Sequence, residues 1–123
     1  MGSRVLVAED DAAIRDSLGE ILEDAGDDAV GACNGRQALE ILGAPGPRPA
    51  LILLDVTMPV MDGAAFRTAQ RATAGRAEIP VIVFSADRDL SRIFDALHVQ
   101  GVFHKPLPLA ELLATIARFC RAA

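Results

Sequence analysis

Lysine is almost missing from this chain: of 12 basic residues, 11 are arginine and the other is Lys105. Arginine serves wherever a generic cation suffices. The lone compact ammonium, in the stretch Gly101-Val102-Phe103-His104-Lys105-Pro106, therefore points to a tight site that a planar guanidinium fork does not fit. No run of Lys or Arg occurs, and a formal net charge of −5 lacks the basic excess of a nucleic-acid footprint. Apolar runs such as Val81 to Phe84 are far shorter than a bilayer span. No charged segment leads into a long apolar stretch near the start. The chain is accordingly expected to be cytoplasmic, without a nucleic-acid or membrane partner. Cysteine is scarce too: Cys33 and Cys120 lack CxxC spacing and are expected as reduced core thiols. Neither GxGxxG nor GxxxxGK occurs, which argues against a nucleotide-binding module. Internal repeats and low-complexity tracts are also lacking.

What is present is one domain's worth of regular pattern. With 123 residues and 51% hydrophobic content, the chain supports a single core, and residues 1–123 are expected to form one domain. Val5-Leu6-Val7-Ala8 reads as a strand buried on both faces. Ile14, Leu18, Ile21, Leu22 and Ala25 then form an amphipathic helical stripe that ends at Gly26. Ala29 to Cys33 is a weak strand, and Ala38, Leu39, Ile41 and Leu42 mark a short helix after Asn34-Gly35. Leu51-Ile52-Leu53-Leu54 is the clearest strand, closed by Asp55. A helix carrying Phe66, Ala69 and Thr73 follows the loop from Thr57 to Gly63. Val81-Ile82-Val83-Phe84 is a fourth strand ending at Ser85, followed by a helix with Leu90, Ile93, Phe94 and Leu97. Val102-Phe103 is a brief fifth strand, and Leu109, Leu112, Leu113, Ile116 and Cys120 mark the last helix. Strands alternating with helices imply a five-stranded parallel sheet with helices on both faces. Right-handed crossovers and this size favour the flavodoxin-like strand order 2-1-3-4-5.

In such a sheet, ligands bind beyond the carboxyl ends of the strands, at the switch point. The polar residues fall there: Glu9 and Asp10 after strand 1, Asp55 after strand 3, Ser85 after strand 4, Lys105 after strand 5. Any one acid alone reads as a solvated loop carboxylate. Together they conflict, because two carboxylates about 5 Å apart repel by roughly 3 kcal/mol at an effective dielectric of 20. A cation among them resolves the conflict, and a few hard oxygen ligands suit Mg²⁺. Asp55 is then placed as a nucleophile on phosphorus. Lys105 would neutralise the transferring group, and Ser85 would hydrogen-bond a phosphoryl oxygen.

Four segments in order resemble the response-regulator receiver domains of two-component signalling. They are Val5 to Asp11, Leu53 to Gly63 with Asp55-Val56-Thr57-Met58-Pro59 at its centre, Val83-Phe84-Ser85-Ala86, and Lys105-Pro106. The resemblance spans Arg4 to Phe119. It implies that Asp10 binds Mg²⁺ directly and Glu9 through water, with Asp55 and the Thr57 backbone carbonyl as further ligands. It also implies that Asp55 accepts a phosphoryl group from a histidine kinase or histidine phosphotransfer protein. Ser85 would be the switch hydroxyl, Lys105 the phosphoryl partner, and the Thr57 and Asp87 side chains modulators of dephosphorylation. Output would pass through the helix 4, strand 5 and helix 5 surface to a partner the sequence does not identify. Arg88 and Arg92 are candidates for charge on that surface. A cis Lys105–Pro106 bond is implied as well.

Val102 stands where the family often has an aromatic, and Asp27 where it often has one after the first helix. Valine is stiff and too small to fill a ring-sized gap, and Phe103 points to the opposite face. Movement of Ser85 and the loop from Ala86 to Asp89 is therefore expected on activation, without a rotating aromatic. Asp11 is expected at the first helix start, Asp62 in a turn or cap, and His98 and His104 either at the surface or behind the residues of the site. The domain is expected to assist only its own phosphorylation and dephosphorylation. Two other readings stay open. A Mg²⁺-dependent aspartyl-phosphate hydrolase would carry a second acid where Thr57 stands. A receiver-like module that is never phosphorylated would normally have lost one of the acids or the lysine.

Overall fold

The computed structural model describes residues 2–120, apart from the side chain of Phe94. Met1 and residues 121–123 of the expected domain lie outside the described residues. Five βα pairs follow one another: β1 (Arg4–Ala8), α1 (Ala12–Asp24), β2 (Asp28–Ala32), α2 (Gly35–Gly43), β3 (Leu51–Asp55), α3 (Gly63–Arg71), β4 (Val81–Ser85), α4 (Leu90–Leu97), β5 (Gly101–His104) and α5 (Leu109–Cys120). The strands are parallel and lie in the order β2-β1-β3-β4-β5, as the alternation of patterns predicts.

Alternation along each strand splits the core into two layers. Leu6, Ala8, Ile52, Leu54, Val81 and Val83 pack with Ala38, Leu42, Phe66 and Ile93 of α2, α3 and α4. Val5, Val7, Leu51, Leu53, Ile82 and Phe84 pack with Leu18, Leu22, Leu112 and Ile116 of α1 and α5. The central strands β3 and β4 are buried at every position, which is why they read as unbroken apolar runs.

Short polar side chains start the helices. Asp11 Oδ1 accepts the Ala13 and Ile14 N–H groups at 2.9 and 3.3 Å, Asn34 accepts that of Gln37 at 2.8 Å, and Asp62 that of Ala65 at 2.8 Å. Asp11 and Asp62 thus take the capping places expected of them.

Several sequence expectations are corrected. Strand β2 runs one residue earlier than the apolar run suggested. Ala25 is exposed beyond α1, with Gly26 at φ 90° turning the chain. Thr73 lies past the end of α3 and is exposed, and the helix buries Phe66, Arg67 and Gln70 instead. The two polar members are satisfied by backbone carbonyls. Arg67 donates to Leu97 O at 3.0 Å and His98 O at 2.6 Å, and Gln70 to Arg76 O at 3.0 Å and Ile79 O at 3.1 Å. A buried guanidinium is tolerable because it closes the carbonyl end of α4; burial, then the neighbouring Arg71, lowers its pKa. Leu109 of α5 is 49% exposed rather than part of the buried stripe. Cys33 is exposed after β2, not a core thiol, and Cys120 is half-buried against the α1/α5 layer. Asp27 is buried, with its carboxylate accepting the Ser3 N–H at 3.0 Å. His98 and His104 are exposed, as expected.

Gly63 fixes the loop that follows Asp55. A Cβ there would lie 2.7 Å from Asp55 O and 2.8 Å from Val56 Cα, and Gly63 N–H donates to Val56 O at 2.8 Å. The clash is with backbone, so no rotamer change relieves it. Gly63→Ala is expected to cost about 1–3 kcal/mol in a urea melt. An unchanged midpoint would show that the loop shifts freely.

Candidate functional site

The parallel register delivers the polar residues to one rim. Ala8 lies beside Leu54, Asp55 beside Phe84, and Ser85 beside His104. The next residues, Glu9 and Lys105, continue the ladder through Glu9 N–H to Ala32 O at 3.0 Å and Lys105 N–H to Ser85 O at 2.9 Å. Sequence alone places Glu9, Asp10, Asp55, Ser85 and Lys105 at this edge, and the structure puts four of them in one cluster.

Oxygens of Glu9, Asp10 and Asp55 lie within 4.8 Å of one another. Asp10 is exposed, but Glu9 and Asp55 are only 1% and 2% exposed. Two carboxylates this dry conflict strongly unless a cation or a proton joins them. Lys105 partly answers: its Nζ lies 3.2 Å from Asp55 Oδ2 and 3.4 Å from Glu9 Oε1. Asp55 Oδ1 accepts the Thr57 N–H at 3.2 Å. Glu9 Oε2 is buried with no hydrogen-bond partner.

The remaining conflict appears in protonation. Burial first, then the adjacent Asp55 carboxylate, push Glu9 up to about 8, against the opposing pull of Lys105. Burial works to lower the Lys105 pKa, but the Asp55 and Glu9 carboxylates outweigh it and hold the ammonium above its ordinary value. A buried oxygen acceptor without a partner, beside two further carboxylates, fits a small hard cation.

The other predicted residues lie around this cluster. The Thr57 side chain is exposed. Ser85 is buried, and its Oγ accepts the Asp87 N–H at 2.9 Å. Asp87 is held by Asp89 N–H at 2.8 Å and by Arg92 Nη2 at 2.8 Å. The Asp89 amide, then the charges of Arg92 and His104, lower its pKa. Val102 packs against the α2/α3/α4 layer and Phe103 against the α1/α5 layer, so adjacent positions do face opposite ways. A groove of about 350 Å³ lined by Leu90, Ser91, Asp95 and Val102 opens beside α4. The Lys105–Pro106 bond is cis.

Sequence reasoning missed three arginine roles. Arg15 lies over Gly31, and its Nη1 donates to Glu9 O at 2.7 Å, anchoring the loop after β1. Arg67 closes α4. Arg92, considered only as surface charge, is engaged with Asp87. No periodic signal marks any of them, because each reaches a partner set by the fold rather than by spacing.

Fold and site together define a flavodoxin-like α/β domain with a lysine-contacted acid pocket at its switch point. The chain matches the family model for the response regulator receiver domain over residues 5–117 and belongs to that family. It is 33% identical over 123 residues to the response regulator MprA of Mycolicibacterium vanbaalenii, covering 98% of this chain and 52% of that protein. Identity to the transcriptional regulatory protein PrrA of Mycobacterium tuberculosis is 36% over 120 residues, 96% of this chain and 50% of that one. The chain thus spans about half the length of these relatives. Among solved structures, a response regulator receiver protein from Pseudomonas putida superposes with a TM-score of 0.86 at 32% identity, covering 96% and 98% of the two chains. The chemotaxis response regulator CheY4 of Vibrio cholerae gives 0.84 at 30% identity, with 97% and 99% covered. As a receiver, the chain is a signalling domain rather than an enzyme of the hydrolase kind. Among the described residues no helix is long and apolar enough to cross a membrane.

Proposed function

We propose that residues 1–123 act as one phosphoacceptor switch in which Asp55 takes a phosphoryl group from a histidine kinase or histidine phosphotransfer protein. The observation that carries this reading is the dry pair Glu9 and Asp55, with one carboxylate oxygen unpartnered and the chain's only lysine in contact with both. Such a pair serves no stabilising purpose without a further cation, and strain of this kind collects at functional sites. Glu9, Asp10, Asp55 and the Thr57 carbonyl would hold Mg²⁺, which when bound neutralises charge on phosphoryl oxygens.

In the transfer, an Asp55 carboxylate oxygen bonds to phosphorus as the bond to the donor imidazole nitrogen breaks, and the electron pair leaves with the imidazole. The Lys105 ammonium stabilises charge on the group that arrives. Ser85 offers its hydroxyl to the same group, and Thr57 and Asp87 flank the approach of water. Because Ser85 shares a hydrogen bond with the loop before α4, its movement shifts that loop and α4. Val102 contributes no rotating ring. Output then leaves by the α4, β5 and α5 surface to a protein partner, in the cytoplasm, without direct contact to nucleic acid or membrane. The domain's only chemistry is on itself.

Incubation with acetyl phosphate and Mg²⁺ should add one phosphoryl group by intact mass, and a chelator should prevent it. Lys105→Arg is expected to slow uptake at least about tenfold. Wild-type rates in that variant would remove Lys105 from the mechanism.

A further inference from the structure

We propose that Arg92 is a positioning residue that sets the lifetime of the phosphorylated domain by withholding the Asp87 carboxylate from water. The proposal rests on Asp55 being the phosphoacceptor.

A cleft of about 250 Å³ runs between the loop after β3 and helix α4, lined among others by Val56, Thr57, Ser85, Asp87, Arg92 and Ile93. Two of its lining residues neighbour Asp55. Thr57 donates its N–H to Asp55 Oδ1, and Ser85 follows Phe84, the register partner of Asp55. Water entering between Thr57 and Ser85 would approach a phosphoryl group on Asp55, and Asp87 is the acid that lines the cleft.

Both Asp87 oxygens are engaged. Oδ1 accepts the Asp89 N–H at 2.8 Å, and Oδ2 accepts from Arg92 Nη2 at 2.8 Å. Arg92 is itself placed by its backbone N–H, 3.0 Å from Asp89 Oδ1, and by its Nε, 3.9 Å from Asp89 Oδ2. The Asp87 and Arg92 side chains are 40% and 64% exposed. An ion pair this exposed adds little to stability, opens readily and is screened by salt. That makes it suited to grading a rate rather than holding a fold.

In hydrolysis, the oxygen of water bonds to phosphorus and the bond from phosphorus to the Asp55 oxygen breaks. The electron pair stays on the Asp55 carboxylate, the water proton passes to solvent, and inorganic phosphate leaves. An Asp87 oxygen free of Arg92 accepts an O–H of that water and aims its lone pair at phosphorus. While Arg92 occupies it, that orienting contact is lost.

The test is to phosphorylate the domain with acetyl phosphate and Mg²⁺, remove the donor, and follow loss of the phosphoryl group by intact mass. Arg92→Gln should lose it roughly three- to fivefold faster than wild type, the size an exposed ion pair supports. Arg92→Lys should stay near wild type. The double variant Arg92→Gln/Asp87→Asn should match Asp87→Asn alone. Added salt should quicken the wild type toward the Arg92→Gln rate and leave Arg92→Gln unmoved. An Arg92→Gln rate equal to wild type, or an acceleration that persists in the Asp87→Asn background, would overturn the role of Arg92 while leaving Asp55 as acceptor. A folded wild type that takes up no phosphoryl group would overturn both.

Discussion

Asp55→Asn should take up no phosphoryl group from acetyl phosphate, and its metal-free form should be at least as stable as wild type. The two halves of this result have one cause. Asp55 and Glu9 are buried side by side with a single ammonium between them, so the nucleophile is also a source of repulsion. An amide keeps the shape and can accept the Thr57 N–H that now reaches Oδ1 at 3.2 Å, but it is not a nucleophile and lacks the charge a cation needs. Mg²⁺ affinity should therefore fall at least about tenfold in isothermal titration, while the midpoint of a thermal melt holds or rises. Phosphoryl uptake that survives, or a variant that unfolds, would contradict the assignment.

The metal-free protein should also lose stability as the pH rises from about 4.5 toward about 8. Glu9 has an ordinary value of 4.5 and is raised to about 8 in the folded chain, by burial first and by Asp55 next. Between those values the folded state binds the proton that the unfolded state has released, so each step up in pH favours unfolding. The effect is complete once pH passes the folded value. A cation takes the proton's place, and its binding releases that proton. The rise in melting temperature given by Mg²⁺ should therefore grow across the same window, with apparent affinity about tenfold or more higher at about pH 8 than at about pH 6. Glu9→Gln should flatten the metal-free profile. A wild-type profile flat through this window would mean that Glu9 ionises unhindered and the pocket is wetter than its burial indicates.

The fold was legible because its signals are local. Four-residue apolar runs such as Leu51 to Leu54 lie buried on both faces, and a strand of that kind needs helices above and below it. The site was legible for a related reason. A residue directly after a strand of a parallel sheet has its position fixed by the ladder, so Glu9, Asp55 and Lys105 could be placed together from sequence order alone. Helix faces were read less well where polar residues are inside. Arg67 and Gln70 carry no apolar signal, yet they are buried because Leu97, His98, Arg76 and Ile79 present carbonyls to them. Leu109 shows the converse, an apolar residue in helical phase that the fold leaves at the surface. The ionic contact of Arg92 with Asp87 spans a loop and a helix start, where no period operates. Distances between acids were also beyond the sequence; the fold brings oxygens of Glu9, Asp10 and Asp55 within 4.8 Å of one another.

The central claim is that one carboxylate, at position 55, forms an acyl phosphate. Borohydride reduces an aspartyl phosphate to homoserine, which marks the residue that carried it. The protein should be treated with acetyl phosphate and Mg²⁺, reduced, digested and sequenced by mass spectrometry. Homoserine at position 55, with Glu9 and Asp10 unchanged and no conversion when a chelator replaces Mg²⁺, is the predicted result. Conversion at Asp10 or any other acid instead, or none in a folded protein with metal present, would contradict it.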